Sequence, residues 1–238
     1  MSDKKTAIVT GASSGIGAGV TEAFLKQGYN VVATARNVSQ SLTASPSLVL
    51  VDGDIGKQET AAEVAEAATG NFGTIDVLVT SAGIFYTKPF TEFSGDDFNT
   101  LASVNLLGFI YLAQFAVRQM LKQKSGCVVS ITAALADNPI AGVNASVSML
   151  TKGGLNALIR SLAIEYAKDG IRFNAVAPGV VDTPLHKGDP PDVLRALQPM
   201  GGIGSVKDIV DAVLYLAQAG QVTGEILHVD GGAHVGRW

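Results

Sequence analysis

The sequence predicts an α/β fold: a doubly wound, parallel, seven-stranded sheet with helices on both faces. Three observations carry this. Short β-rich runs alternate with stretches of helical spacing almost throughout, which calls for parallel strands joined by right-handed crossovers. The 27 glycines outnumber the 8 prolines and fall between apolar runs, where tight strand-to-helix turns need them. A chain of 238 residues, 47% of them hydrophobic, buries one large sheet and is short for two domains, so residues 1–238 are read as a single domain.

The strand-like runs are Thr6 to Thr10, Val31 to Ala35, Leu48 to Val51, Val77 to Thr80, Cys127 to Thr132, Arg172 to Ala177 and Ile226 to Val229. Between them, Ile16 to Gln27, Gln58 to Ala68, Phe98 to Lys122, Leu150 to Ala167 and Val206 to Gln218 carry apolar residues at helical spacing. This order gives a Rossmann-type sheet, whose ligands bind beyond the carboxyl ends of its strands. The stretch from Pro178 to Gly204, with Pro184, Pro190, Pro191 and Pro199, predicts no regular element. Long loops in compact domains are commonly functional, and its place after a strand end marks it as a substrate lid. No repeat, low-complexity tract or charge run marks a linker.

Composition narrows the function classes. A formal charge of −4 and the absence of a Lys/Arg cluster argue against a nucleic-acid or anionic-membrane partner. The single cysteine, Cys127, lies in an apolar run, so no internal disulfide forms and a buried thiol in a reducing compartment is expected. Met1-Ser2-Asp3-Lys4-Lys5 leads directly into Ala7-Ile8-Val9 without a long apolar segment, so a cytoplasmic location is expected. His186, His228 and His234 have no metal-ligand spacing with cysteines or carboxylates, so no metal is expected and ordinary surface or strand roles are assigned to them.

The chemistry begins at Thr10-Gly11-Ala12-Ser13-Ser14-Gly15-Ile16-Gly17, between the first strand and the first helix. Glycines there let the backbone approach a pyrophosphate, and the helix N-terminus supplies free N–H donors. The spelling TGxxxGxG resembles the cofactor signature of the short-chain dehydrogenase/reductase family, and further landmarks follow in order. Asp54-Ile55 ends the third strand, where the family sets an aspartate against the adenine. Thr80-Ser81-Ala82-Gly83 stands where the family has Asn-Asn-Ala-Gly. Asn105 matches its helix asparagine, Pro178-Gly179 with Thr183 its nicotinamide-contacting loop, and Val229-Asp230-Gly231-Gly232 its last strand end. The resemblance covers nearly the whole chain. It implies a nicotinamide dinucleotide held by Gly11, Ser13, Ser14, Gly15, Ile16, Gly17, Arg36, Asp54, Ile55, Ser81, Ala82, Gly83, Lys152, Pro178, Gly179, Val181 and Thr183. It also implies a homodimer or homotetramer through the two long helices, with Gly153, Gly154 and Ala157 allowing close approach.

In Rossmann folds an acidic residue after the second strand bonds the ribose 2′-OH of NAD, whereas an arginine accommodates the 2′-phosphate of NADP. Here Ala35 holds the acidic position and Arg36 follows, so NADP(H) is expected ahead of NAD(H).

The family's chemistry uses a tyrosine as acid/base, a lysine four residues later, an upstream serine and the helix asparagine. Lys152 matches the lysine and Asn105 the asparagine, but Ser148 stands at the tyrosine position. Residues 148 and 152 are one helical turn apart and share a face. Tyr111 and Tyr166 fall in other helices and take core or surface roles. On the strand, Ala133 aligns with the catalytic serine and Thr132 lies beside it, while the stretch from there to Ser148 is about two residues longer than the family's usual spacing, so Ser146 or another residue of that loop is an alternative source of the hydroxyl. The catalytic set is therefore Asn105, Ser148, Lys152 and Thr132. Losing a general acid costs about 10²–10⁴-fold in rate, while positioning contributes roughly 7–11 kcal/mol, so hydride transfer is weakened and not forbidden. The expected function is an NADP(H)-dependent oxidoreductase that reduces a small-molecule carbonyl compound, or oxidises the alcohol, with a non-standard active site. The alternatives are a non-catalytic NADP(H)-binding sensor or assembly protein and a lyase or isomerase without net redox change. Phe85, Tyr86, Leu185 and His186 are expected to line an apolar substrate pocket.

Overall fold

Strands β1 (Thr6–Thr10), β2 (Asn30–Ala35), β3 (Leu48–Asp52), β4 (Val77–Thr80), β5 (Gly126–Ile131), β6 (Ile171–Pro178) and β7 (Ile226–Val229) form one sheet. Every neighbouring pair is parallel, in the order β3-β2-β1-β4-β5-β6-β7. The computed structural model describes residues 4–236. Met1 to Asp3, on which the expectation of a leaderless start rests, lie outside the described residues, as do Arg237 and Trp238.

Side-chain alternation along the buried strands fills two cores, one on each face. In β1, Ile8 enters the core beneath α2 (Gln58–Phe72), α4 (Gly108–Gln123) and α5 (Ser146–Glu165). Its neighbours Ala7 and Val9 enter the opposite core, beneath α1 (Gly15–Lys26) and α7 (Val206–Gln218). The winding reverses between β1 and β4. Thr10 Oγ1 accepts from the N–H groups of Ser81 and Ala82, fixing the separation of the two diverging loops at the strand ends. A crevice opens there, where this topology places ligands.

Three elements differ from expectation. The run expected as one helix from Phe98 to Lys122 begins earlier, at α3 (Gly95–Ala102), because Ser94 and Asp97 form a reciprocal capping box. It is then interrupted by a π turn, Ser103–Leu107, where the Gly108 N–H reaches back to the Ser103 carbonyl. Its cause is tertiary: the Asn105 side chain accepts from the Ile84 N–H at 2.9 Å and donates to the Ile84 carbonyl at 3.0 Å and to Thr151 Oγ1 at 2.9 Å. The whole run Gly95–Gln123 has the length and hydropathy of a membrane span, but Phe109, Leu112, Ala116 and Met120 pack on the sheet. The helix expected from Leu150 starts at Ser146, which brings residue 148 inside it. The loop from Pro178 to Gly204 is also more ordered than expected, with a 3-10 turn at Pro184–His186 and a short helix, α6 (Pro191–Ala196). Buried Leu194 and Gln198 anchor it, and Gln198 Nε2 donates to the Val180 carbonyl.

Candidate active site

Two hollows meet at the carboxyl ends of the strands. The larger, about 710 Å³, runs from the glycine loop past Arg36 and Asp54 to Gly83 and Thr183. The smaller, about 220 Å³, is bordered by the loop that follows β6 and is walled mainly by apolar side chains such as Phe85, Leu135, Ile140, Val143 and Met149. Ile16, Ser81, Gly83, Ile84, Thr183 and Leu185 border both, so a ligand in one faces a ligand in the other.

The larger cleft fits a dinucleotide. Gly11 has φ +68°, and a Cβ there would lie 2.8 Å from the Ala82 nitrogen; one on Gly17 would lie 2.2 Å from the Gly11 carbonyl oxygen. Only glycine permits this turn and the close helix approach it creates. Ser14 caps α1 without a side-chain bond, leaving the helix N-terminal N–H groups directed at the cleft for an anionic ligand. Thr34, on the cleft wall, has a buried hydroxyl with no hydrogen-bond partner among the described residues. Such a group invites a polar ligand.

At the far end, Arg36 is exposed, with Asn37, Gln40 and Ser41 beside it. The nearest strand-end acid, Asp52, pairs with Ala35 across the sheet but turns to Ser39, accepting from its Oγ and, at 2.9 Å, from its N–H. The Ser39 hydroxyl, then its N–H, hold that carboxyl below the usual range. Asp54 and Ile55 lie just beyond β3 and not within it; Asp54 Oδ1 accepts from the Gly56 N–H at 3.0 Å, and Ile55 packs under Gly108.

Lys152 reaches the cavity wall from α5. Its Nζ donates to the Ile131 carbonyl at 2.8 Å and lies 3.1 Å from where a Gly83 Cβ would stand. Burial pulls its ammonium down to about 8. Thr132 lines the same cavity, its hydroxyl 3.4 Å from the Val176 carbonyl. Asn105 is buried behind them, orienting Ile84 and Thr151.

Ser148 departs from its expected place. It is fully buried, and its hydroxyl accepts from the Tyr86 N–H at 2.9 Å and donates to the Tyr86 carbonyl at 2.8 Å. It therefore clasps the 84–87 segment to α5 and offers no group to the cavity. Tyr86 lines the dinucleotide cleft and not the substrate cavity, whereas Phe85, Leu185 and His186 line the latter as expected. Pro178, Gly179 and Val181 also border the substrate cavity; Gly179 is wedged against Asp230, and Val181 bridges to Gly204.

The histidines are less ordinary than their spacing implies. His186 Nδ1 lies 3.0 Å from Asp189 Oδ2. His228 and His234 stack with ring centroids 3.9 Å apart, bonded to Asp137 and Asp230 respectively. No group of three metal-ligating side chains occurs among the described residues. Cys127 is buried and its thiol is pushed up to about 11 by that burial.

Residues 11–234 match a family described as Enoyl-(Acyl carrier protein) reductase. The chain is 35% identical over 241 residues to the cis-4-hydroxycyclohexanecarboxylate dehydrogenase of Sinomonas cyclohexanicum, covering 96% of each. It is 32% identical over 231 residues to carbonyl reductase family member 4 of Xenopus tropicalis, covering 96% of this chain and 97% of that one. Among solved structures, ElxO with NADP bound superposes with a TM-score of 0.91 at 28% identity, over 98% of this chain and 100% of the other. The 3-ketoacyl-(acyl-carrier-protein) reductase of Brucella melitensis, complexed with NADH, gives 0.90 at 27% identity, over 97% and 98%. A glycine-turned crevice at the sheet's switch point, a lysine and a π-turn asparagine behind it, and relatives that match over nearly their whole length converge: the chain belongs to the short-chain dehydrogenase/reductase family.

Proposed function

We propose that the protein is an NADP(H)-dependent oxidoreductase that reduces an apolar carbonyl compound, or oxidises the corresponding alcohol, through a non-standard active site. The observation that carries this reading is the junction of the dinucleotide cleft with an apolar cavity, with Lys152 on the cavity wall beside Gly83, which borders both. The dinucleotide, when bound, supplies the hydride. Gly11 to Gly17 and the start of α1 receive its phosphates, and Arg36 offers the planar guanidinium suited to a 2′-phosphate. Lys152 gives the junction a positive charge in a water-poor setting, where it stabilises negative charge developing on a substrate oxygen. The apolar walls exclude water and select substrates with hydrophobic bodies.

Ser148 favours a second reading, a dinucleotide-binding sensor or assembly protein, because its hydroxyl is bonded to the Tyr86 backbone and no tyrosine borders the substrate cavity. One set of measurements separates the two. An oxidoreductase consumes NADPH with at least one of a panel of hydrophobic aldehydes and ketones, and Lys152→Ala removes that turnover. A sensor binds NADPH and turns over none of them. In the same assays NADPH binds more tightly than NADH by fluorescence titration, and Arg36→Ala removes most of that preference; equal affinities in the unmutated protein refute the NADP assignment.

A further inference from the structure

Among the described residues two ionisable side chains border the substrate cavity, Lys152 from α5 and His186 from the loop after β6. Lys152 is directed at the Ile131 carbonyl beside Gly83, on the dinucleotide side. His186 stands on the lid side, beside Leu185. Its ring is held by Asp189, whose carboxylate takes Nδ1 at 3.0 Å, and its side chain is 21% exposed. An imidazole anchored through Nδ1 presents Nε2 as its working nitrogen, and imidazole exchanges protons readily near neutral pH. Of the other charged groups nearby, Asp192 and Arg195 pair with each other on α6, and Lys187 is exposed.

We infer that His186 is the proton donor of the active site, oriented by Asp189 and taking over from the lid the role that position 148 cannot perform. The inference rests on the oxidoreductase reading above. As the carbonyl carbon gains the hydride, the π pair of the C=O bond moves to oxygen, and the oxygen takes the Nε2 proton of the imidazolium. Alcohol, oxidised dinucleotide and neutral imidazole result. The exposed edge of the ring regains its proton from solvent, so one carbonyl, one reduced dinucleotide and one proton are consumed per turnover. Asp189 is a positioning residue that fixes the ring through Nδ1. Lys152 provides charge and His186 the proton, from opposite walls.

The test uses the full chain with NADPH and the best aldehyde or ketone from the panel. His186→Gln is expected to lower kcat about 10²-fold and to leave NADPH affinity by fluorescence within a factor of two. Asp189→Asn is expected to lower kcat less, with KM unchanged. Added imidazole restores activity to His186→Ala, which separates lost chemistry from lost folding. As a readout independent of turnover, the ¹⁵N resonance of His186 Nε2 shifts when the product alcohol is added. If the unmutated protein turns over but His186→Gln keeps its kcat, His186 is not the donor and the oxidoreductase reading stands. If the unmutated protein binds NADPH and reduces no carbonyl, the oxidoreductase reading fails and this inference falls with it.

Discussion

Lys152 carries a cost that the fold tolerates at its most reactive point. The side chain is largely buried, and its ammonium is drawn from 10.5 to about 8 by desolvation alone. In the unfolded chain it keeps the higher value. Between these limits the unfolded chain binds more protons than the folded one, so stability rises with pH across the window and the penalty is full below it. Lys152→Met is therefore expected to stabilise the dinucleotide-free protein at pH 7 by about 2 kcal/mol, seen as a higher Tm. The same variant loses its share of the stability gain between pH 8 and 10.5, a difference that urea titrations at several pH values resolve. Unchanged stability at pH 7 means that solvent reaches the ammonium. Glycine positions follow a similar economy, because the 2.2 Å approach beside Gly17 excludes every other side chain.

At the scale of elements, the π turn ties helix geometry to the site. Asn105 holds Ile84 and Thr151 at once, linking the segment after β4 to α5. Asn105→Ala leaves the N–H and carbonyl of half-buried Ile84 unpaired and is expected to cost about 2 kcal/mol, with weaker dinucleotide affinity; urea unfolding and NADPH titration check both. Strand positions and the glycine loop were readable from the sequence because they rest on local rules, β-branched runs and glycines at fixed offsets. The Ser94 and Asp97 box, spelled Ser-x-x-Asp, was equally legible and sets the true helix start. The π turn was not, since its cause lies in residues 84 and 151, far off in sequence. Ser148 was placed on the right helix face next to Lys152, yet its partner, the Tyr86 backbone, leaves no mark in composition or spacing. His186 and Asp189 were within sight of each other in the sequence, but proline-rich loops give no periodicity from which to infer that they meet.

For the molecule as a whole, the face of the sheet covered by α4 and α5 is unfinished. A groove between these helices is lined by Phe109, Ile110, Val117, Leu121, Leu158 and Leu162. Contiguous apolar surface of this kind is commonly covered by a partner. Gly154 is exposed on α5, so the close approach expected at Gly153, Gly154 and Ala157 stays part of this prediction alongside the larger side chains of the groove. We predict a homodimer or homotetramer built on this groove. Light scattering should return a multiple of 24.5 kDa, and Leu158→Glu should reduce it to the single-chain mass with the circular dichroism of the fold retained. A single-chain mass for the unmutated protein refutes it.

The clasp between Ser148 and Tyr86 also sets the terms on which this site could change. A phenol ring at position 148 needs a volume that is now filled, because Ser148 has no exposed surface and both of its hydrogen bonds run to the backbone of the segment that covers it. Installing tyrosine there would force that segment off α5, with Phe85 and Ile84 carried along and the wall of the substrate cavity with them. Adding a ring at position 148 and keeping the present pocket are thus incompatible in a single substitution. The clasp makes residue 148 and the pocket wall one mechanical unit: a larger side chain on the helix has to be matched by a change in the segment that covers it.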